Sequence, residues 1–328
     1  MNMKKALLLF MAALLCFSAA GCTGKKNNEN KVLIYTSMED YRQEYMLGRL
    51  REEFKDYDIS IEYMSSGTHA AKLLSEGTAT ACDITFDLDF GYVDKLKDIF
   101  ADLSEYDFSV FADDVLRSDK IIIPEYRNGG CIAVNTKTLA DKGLSEPTSY
   151  ADLLKPEYKD LISMPSPKSS GTGYMFLKSL VNSLGEDEAF EYFDKLSENI
   201  LQFTSSGSGP VNSLVQGEAA IGLAMTGQAV TEINKGAPLK VIYFDEGSPY
   251  SLYGTGIIKG KETKKAVKDV FDFIYSTLIA EDKERFFPEK IYKEKDFTIE
   301  NYPTDIKYAD MSNNTADEKE RLLAKWKY

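Results

Sequence analysis

Residues 31–40 read KVLIYTSMED. A short apolar, β-rich run stops at Thr36 and Ser37, and Glu39 and Asp40 then open a stretch in which Tyr41, Tyr45, Leu47 and Leu50 recur near helical spacing. That order is strand, turn, helix. It recurs downstream. Residues 58–64, DISIEYM, alternate apolar and polar as a half-covered strand does, and SSGT at 65–68 leads into a helix expected from about His69 to Ser75. A third strand is expected at 83–88. Three such units in the first 100 residues predict a parallel sheet with helices on both faces.

Past a connecting stretch at 121–134, which carries Gly129 and Gly130, the same grammar resumes. Strands are expected at 161–164, 201–204, 219–224 and 239–244. Helices are expected at 150–158, interrupted by Pro156, and at 172–184, 189–200, 211–216 and 228–234. The chain then returns through 253–258 to helices near 262–276 and 280–287, with a last turn at 321–326. The fold class is therefore α/β. Two lobes with mixed, mainly parallel sheets are joined by two hinge crossovers, the first lobe formed by 31–128 and 250–328 and the second by 129–249.

The first residues carry a different message. Lys4 and Lys5 precede an apolar run from Ala6 to Ser18, too short for the ~20 residues of a bilayer span, and Ala19, Ala20 and Gly21 precede Cys22. This reads as an export signal over 1–21. The polar stretch 22–30 reads as a tether. Of the four cysteines, Cys82 and Cys131 fall in the folded body, either as a pair or as two buried thiols; sequence alone does not bring their Cα atoms within bonding reach. With 39 basic against 52 acidic residues, the formal charge of −13 disfavours a nucleic-acid surface. One histidine and scattered cysteines supply no zinc-type ligand spacing, so no metal and no cofactor is expected.

Chemistry concentrates where predicted strands end in Ser, Thr and Gly: Thr36 and Ser37, Ser65 to Thr68, Ser169 to Gly173 (SSGTG), Ser205 to Gly209 and Thr226 with Gly227.

 The stretch at 205–209 reads SSGSG, and the doubled glycines there and in SSGTG let a ligand approach the backbone closely. Such junctions either cap a helix or cradle an anion with free N–H groups and hydroxyls. Asp87 and Asp89, in FDLDFGY, either receive an ammonium or a metal or cap the next helix. His69, beside Thr68, either donates to an anion or is simply a surface or packing residue. Tyr126, Tyr250 and Tyr253 fall on the presumed hinge strands. Arg127 is either a bidentate clamp on a carboxylate or phosphate or an interlobe ion pair. No G-x-S-x-G elbow, Walker A loop, H-E-x-x-H helix or G-x-G-x-x-G after the first strand is present, so no catalytic residue is assigned and an enzyme is disfavoured.

Taken together, SAAGC at 18–22, KVLIYTS at 31–37, SSGTGYMFL at 169–177 and GEAAIGLAMTGQ at 217–228 resemble the lipid-anchored, extracellular solute-binding proteins of bacterial ABC importers. The similarity is to the type II subset that includes ferric-iron, phosphonate, phosphate-ester, thiamine and polyamine binders. It implies a two-lobed, periplasmic-binding-protein-like fold, a lipid on Cys22, a position on the outer face of the cytoplasmic membrane, and a monomer that delivers a small solute to a permease and its cytoplasmic ATPase. By the family pattern the contacts fall at Ser37, Ser66, Thr68 and Asp87 in the first lobe and at Ser170, Gly171, Thr172, Ser206 and Thr226 in the second. Iron binders of this subset carry adjacent tyrosines where this chain has Met225 to Gln228, which argues against ferric iron. The ligand expected is a phosphonate or phosphate ester, with any amine meeting Asp87 or Asp89. The alternatives are a polyamine held by those acids with Tyr250 and Tyr253, a thiamine-type or ferric-ion solute of the same transporter class, or an exported hydrolase, transferase or adhesin on the same scaffold.

Overall fold

β1 (Lys31–Thr36), with Val32 and Ile34 on one face and Tyr35 on the other all buried, sits between β2 (Asp58–Tyr63) and β3 (Ile84–Asp89), and both pairings are parallel. The computed structural model that shows this describes residues 28–328. The export signal, Cys22 and residues 22–27 of the tether lie outside the described residues. Between these strands run α1 (Asp40–Glu53) and α2 (Ser66–Glu76), and α3 (Val93–Leu96) follows β3.

β4 (Ile123–Asn135) is thirteen residues long and buried throughout. Its first part pairs antiparallel with β9 (Tyr250–Ile257), which in turn pairs with β3. From Gly130 onward it pairs instead with β7 (Ile221–Met225), and from Ile132 also with β8 (Leu239–Ile242). Beyond β7 lie β5 (Ile162–Pro165) and β6 (Ile200–Thr204), both in parallel register. The order is β2-β1-β3-β9-β4-β7-β5-β6, with β8 on β4. Parallel pairs thus lie toward the two outer ends, and the antiparallel pairs all involve β4 or β9.

The second lobe adds α4 (Thr136–Asp141), α5 (Gly171–Leu184), α6 (Glu186–Leu196), α7 (Gly209–Gln216) and α8 (Thr226–Asn234). α5 is buried from Gly171 to Val181. A left-handed Gly185, with φ 90°, ends it where a side chain would be strained. Three local expectations change. Residues 150–158 form two 3₁₀ turns rather than a helix, since Pro156 cannot continue one. The two helices expected near 262–287 are one: α9 (Lys265–Phe273) runs through a π turn at 274–278 into α10 (Ile279–Arg285). The last turn expected at 321–326 begins earlier, as α11 (Ala316–Lys325) with Thr315 capping the amide of Glu318.

Apolar residues line both faces of each half. Val267, Val270 and Phe271 of α9 cover one face of the first lobe, and Leu73, Leu96 and Tyr35 fill the other. In the second lobe Phe176, Leu180 and Phe193 oppose Val211 and Leu214 across the sheet. The chain's end departs from the expected boundary. Met311, Leu322 and Trp326, read as first-lobe residues, join the second-lobe core, because that is where an uncovered apolar surface meets them. Cys82 and Cys131 are buried and unpaired, and burial pushes the Cys131 thiol up to about 12. No helix of the described residues is long and apolar enough to cross a membrane.

Candidate functional site

The C-terminal ends of β1, β2, β3, β5, β6 and β7 all face one cleft of about 240 Å³ between the lobes. This is where the ends of strands in an open α/β sheet place a ligand. Ser37, Ser66 and Asp87 line it from the first lobe, with Glu39, Asp40, Tyr41 and Tyr63. Ser170, Gly171, Thr172 and Ser206 line it from the second, with Asn212 and Gln228. Tyr126, Asn128 and Tyr253 come from β4 and β9 and form the floor. None of the lining side chains is a lysine or arginine.

The second-lobe wall is built from two helix starts. Ser170 caps α5 by accepting the Gly173 amide at 3.5 Å, and Ser206 and Ser208, hydrogen-bonded to each other at 3.0 Å, precede α7. Unpaired amides and hydroxyls at such starts favour negative charge. Gly207 is required for the two starts to meet, since a Cβ there would stand 2.5 Å from the Thr172 hydroxyl.

The first-lobe wall is acidic but internally neutralised. Arg42, fully buried, forms a bidentate pair with Asp282 at 2.9 and 3.0 Å and also reaches Glu39 at 3.0 Å and Asp87 at 3.3 Å. Its guanidinium stacks 4.2 Å from the Tyr126 ring and 4.7 Å from that of Phe287. Asp87 also accepts the hydroxyls of Tyr126 at 2.5 Å and Ser37 at 3.0 Å. Burial pushes Asp87 up to about 7 against the pull of Arg42, and burial next to Asp87 raises Glu125, whose carboxyl accepts the Asp87 amide at 3.1 Å. Asp87 holds a left-handed φ of 59°, a conformation that costs a non-glycine residue energy and is found at ligand sites.

Four buried polar atoms lining this cleft have no partner among the described residues: the hydroxyls of Tyr41 and Ser169, the Asn128 Oδ1 and the Gln228 Oε1. The Gln228 amide nitrogen is committed to the Ser208 carbonyl at 3.3 Å and Asn212 Oδ1 at 3.1 Å. Two hydroxyl donors and two amide acceptors are therefore presented to a guest, since buried polar groups are otherwise paired.

Six residues singled out from sequence stand elsewhere. Arg127 binds Asp114 at 2.5 Å and stacks on Tyr250 and Tyr308 at 4.8 and 4.5 Å. Side chains alternate along a strand, so Tyr126 and Asn128 face the cleft and Arg127 between them faces away. Tyr250, an odd step from Tyr253, likewise points behind it. Asp89 would share the Asp87 face in a regular strand, but the bulge between Thr85 and Leu88 breaks that parity. It accepts the Gly91 amide at 2.9 Å and the Lys319 ammonium at 2.7 Å. Thr68 is exposed and bonded to Ser65 at 3.0 Å, and Thr226 is buried beside the Tyr243 hydroxyl at 3.2 Å. His69 is a core residue: its Nε2 meets Thr85 Oγ1 at 2.8 Å, and burial lowers its pKa to about 3. No group of three or more His, Cys, Asp or Glu side chains among the described residues is placed to hold a metal ion.

The His69 shift has a measurable consequence. A histidine held neutral in the fold takes up a proton only on unfolding, so its contribution to stability is lost as pH falls below 6.5. Between pH 6.5 and 5 the loss is about 2 kcal/mol. The raised pKa of Asp87 acts in the opposite direction, its contribution being lost as pH rises from about 4 toward 7. The difference between native and His69→Gln urea midpoints across this range isolates the histidine. An equal pH slope in both proteins would refute its assignment as a buried neutral group.

A family model described as bacterial extracellular solute-binding protein matches residues 84–314. The chain belongs to the bacterial extracellular solute-binding proteins. It is a type II solute-binding protein of an ABC importer, and the cleft lies between its two lobes. AfuA from Actinobacillus pleuropneumoniae, solved with exogenous fructose-6-phosphate bound, is 25% identical, with a TM-score of 0.79 over 90% of this chain and 97% of that one. An uncharacterized protein of Haemophilus influenzae is 28% identical over 84% of this solute-binding protein and 81% of its own length. The spermidine/putrescine-binding periplasmic protein of Salmonella typhimurium is 24% identical over 80% and 78%.

Proposed function

We propose that this solute-binding protein captures a small phosphonate or phosphate ester, its oxyanion held at the starts of α5 and α7 and a hydroxyl- or amine-bearing end turned toward Asp87, Asn128 and Gln228. One observation carries the reading: hydroxyls and helix starts from two elements converge on a wall with no competing carboxylate, and unpaired acceptors remain beside it on Gln228 and in the floor on Asn128. Asp89 has no part in it, being paired with Lys319. The protein acts by binding and release, as a monomer, delivering its solute to the permease and its ATPase. It is tethered to the outer face of the membrane by a lipid on Cys22, which Cys22→Ser would abolish in a metabolic lipid-labelling experiment.

A thermal-shift screen of phosphonates, sugar phosphates, other phosphate esters and polyamines tests the ligand class. A binder at 100 times its dissociation constant adds about 2.7 kcal/mol of stability. Thr172→Ala, which removes one hydroxyl from the oxyanion wall, is expected to weaken a phosphorus-containing binder ~10-fold, since hydrogen bonds to charged groups contribute about 1.5–3 kcal/mol. The unfolding temperature without ligand should change little. A response to polyamines alone would overturn the ligand class. Glu39, Asp40 and the rings of Tyr41 and Tyr63 at the rim favour that second reading, against which stands the neutralisation of Glu39 and Asp87 by Arg42.

A further inference from the structure

α11 touches both lobes. Leu322 on it and Trp326 just beyond lie in the second-lobe core, with the indole edge-on to Phe193 at a centroid distance of 5.1 Å. Glu318 binds Lys178 of α5 at 3.4 Å. From the same helix Lys319 reaches the other way, to Asp89 on β3 of the first lobe, at 2.7 Å with the two side chains 3% and 2% exposed. Its ammonium lies 4.0 Å from the ring centre of Tyr92, in the first lobe, and 4.6 Å from that of Tyr174, in the second. The Asp89 carboxylate that it binds is part of the wall behind the cleft: a Cβ on Gly171 would stand 3.5 Å from its Oδ2.

We infer that Lys319 is a positioning residue that holds the two lobes together over the cleft, and that it sets solute affinity without touching solute. The helix carrying it is rooted in the second-lobe core, so a rotation that parts the lobes draws the ammonium from Asp89. Each charge is too deeply buried to be left alone at small cost. The paired arrangement is therefore favoured over intermediate openings. The neighbouring contacts of Lys95 with Asp317 and Glu320 involve acids 92% and 76% exposed and add little. A larger population of the binding-competent arrangement tightens apparent affinity in proportion. This inference rests on the reading of the protein as a two-lobed solute trap, and on no particular solute.

Its test needs no ligand. In the full chain carrying Cys16→Ser and Cys22→Ser, spin labels are placed at Glu53→Cys on α1 and Gln216→Cys on α7, both exposed, while Cys82 and Cys131 are buried. Pulsed electron resonance then reads the interlobe distance. The native pair should give one narrow distribution. Asp89→Asn with Lys319→Met removes both charges together and should shift the labels to longer separations, raising the wide population by ~3-fold or more. The thermal unfolding profile shows that the double variant is folded. Should it not fold, Asp89→Asn with Lys319→Gln, which also removes both charges and keeps polar side chains at both positions, carries the same comparison. A folded variant with the native distance distribution overturns the inference, as does a shift to shorter separations. Failure of every compound in a ligand screen would leave these distances unaffected, so the two readings fail separately.

Discussion

Arg42→Met lowers the stability of the protein by about 3–5 kcal/mol, the cost of stranding buried charges by removing their partner. The side chain is fully enclosed, and three carboxylates depend on it: Asp282 through a bidentate pair, Glu39 and Asp87 through a shared nitrogen. Methionine matches much of its stem and none of its charge. The acids left behind regain neutrality by protonation, so the deficit should shrink as pH is lowered from 8 to 5. Urea denaturation at the two pH values reads both effects. A deficit under 1 kcal/mol, or one independent of pH, would mean that the network does not anchor this wall of the cleft.

Gly171→Ala acts on closure instead of on folding. The added methyl would stand 2.6 Å from the Tyr253 hydroxyl and 3.4 Å from Ser66 Oγ. Tyr253 cannot swing clear, because its ring is buried and stacked on Tyr126 with centroids 5.0 Å apart and planes 11° apart. Overfilling a packed contact costs about 1–3 kcal/mol. Here that cost falls on the arrangement with the lobes together, so affinity for a bound solute should drop ~5- to 150-fold. The expected signature is a weaker dissociation constant by calorimetry, with the ligand-free unfolding temperature little changed. Native affinity in the alanine variant would show that the lobes do not come together at this glycine.

Much of this was legible in the residues because strand ends are chemically marked. The Ser, Thr and Gly clusters at 37, 66, 170–172 and 206 identified the cleft, since the same residue types that start helices also offer amides and hydroxyls to a guest. The hinge was harder. Arg127 draws the eye as the one strong cation there, but only the side-chain alternation of β4 tells which of Tyr126, Arg127 and Asn128 faces in. Asp87 and Asp89 look equivalent on paper. A bulge separates their fates, and nothing local in FDLDFGY announces one. Arg42 and Lys319 were invisible for another reason: each sits on a helix among many charges, and their burial is set by partners 240 and 230 residues away in the chain.

β4 leaves a final mark on how the protein melts. One unbroken strand gives its first hydrogen bonds to β9 and its last to β7 and β8, so neither lobe has a complete ladder without it. Heating cannot release one lobe and spare the other, because losing either set of neighbours exposes half of a strand that is buried along its whole length. Calorimetry should accordingly record one endotherm whose van't Hoff and calorimetric enthalpies agree, the behaviour of a single cooperative unit in a molecule built from two.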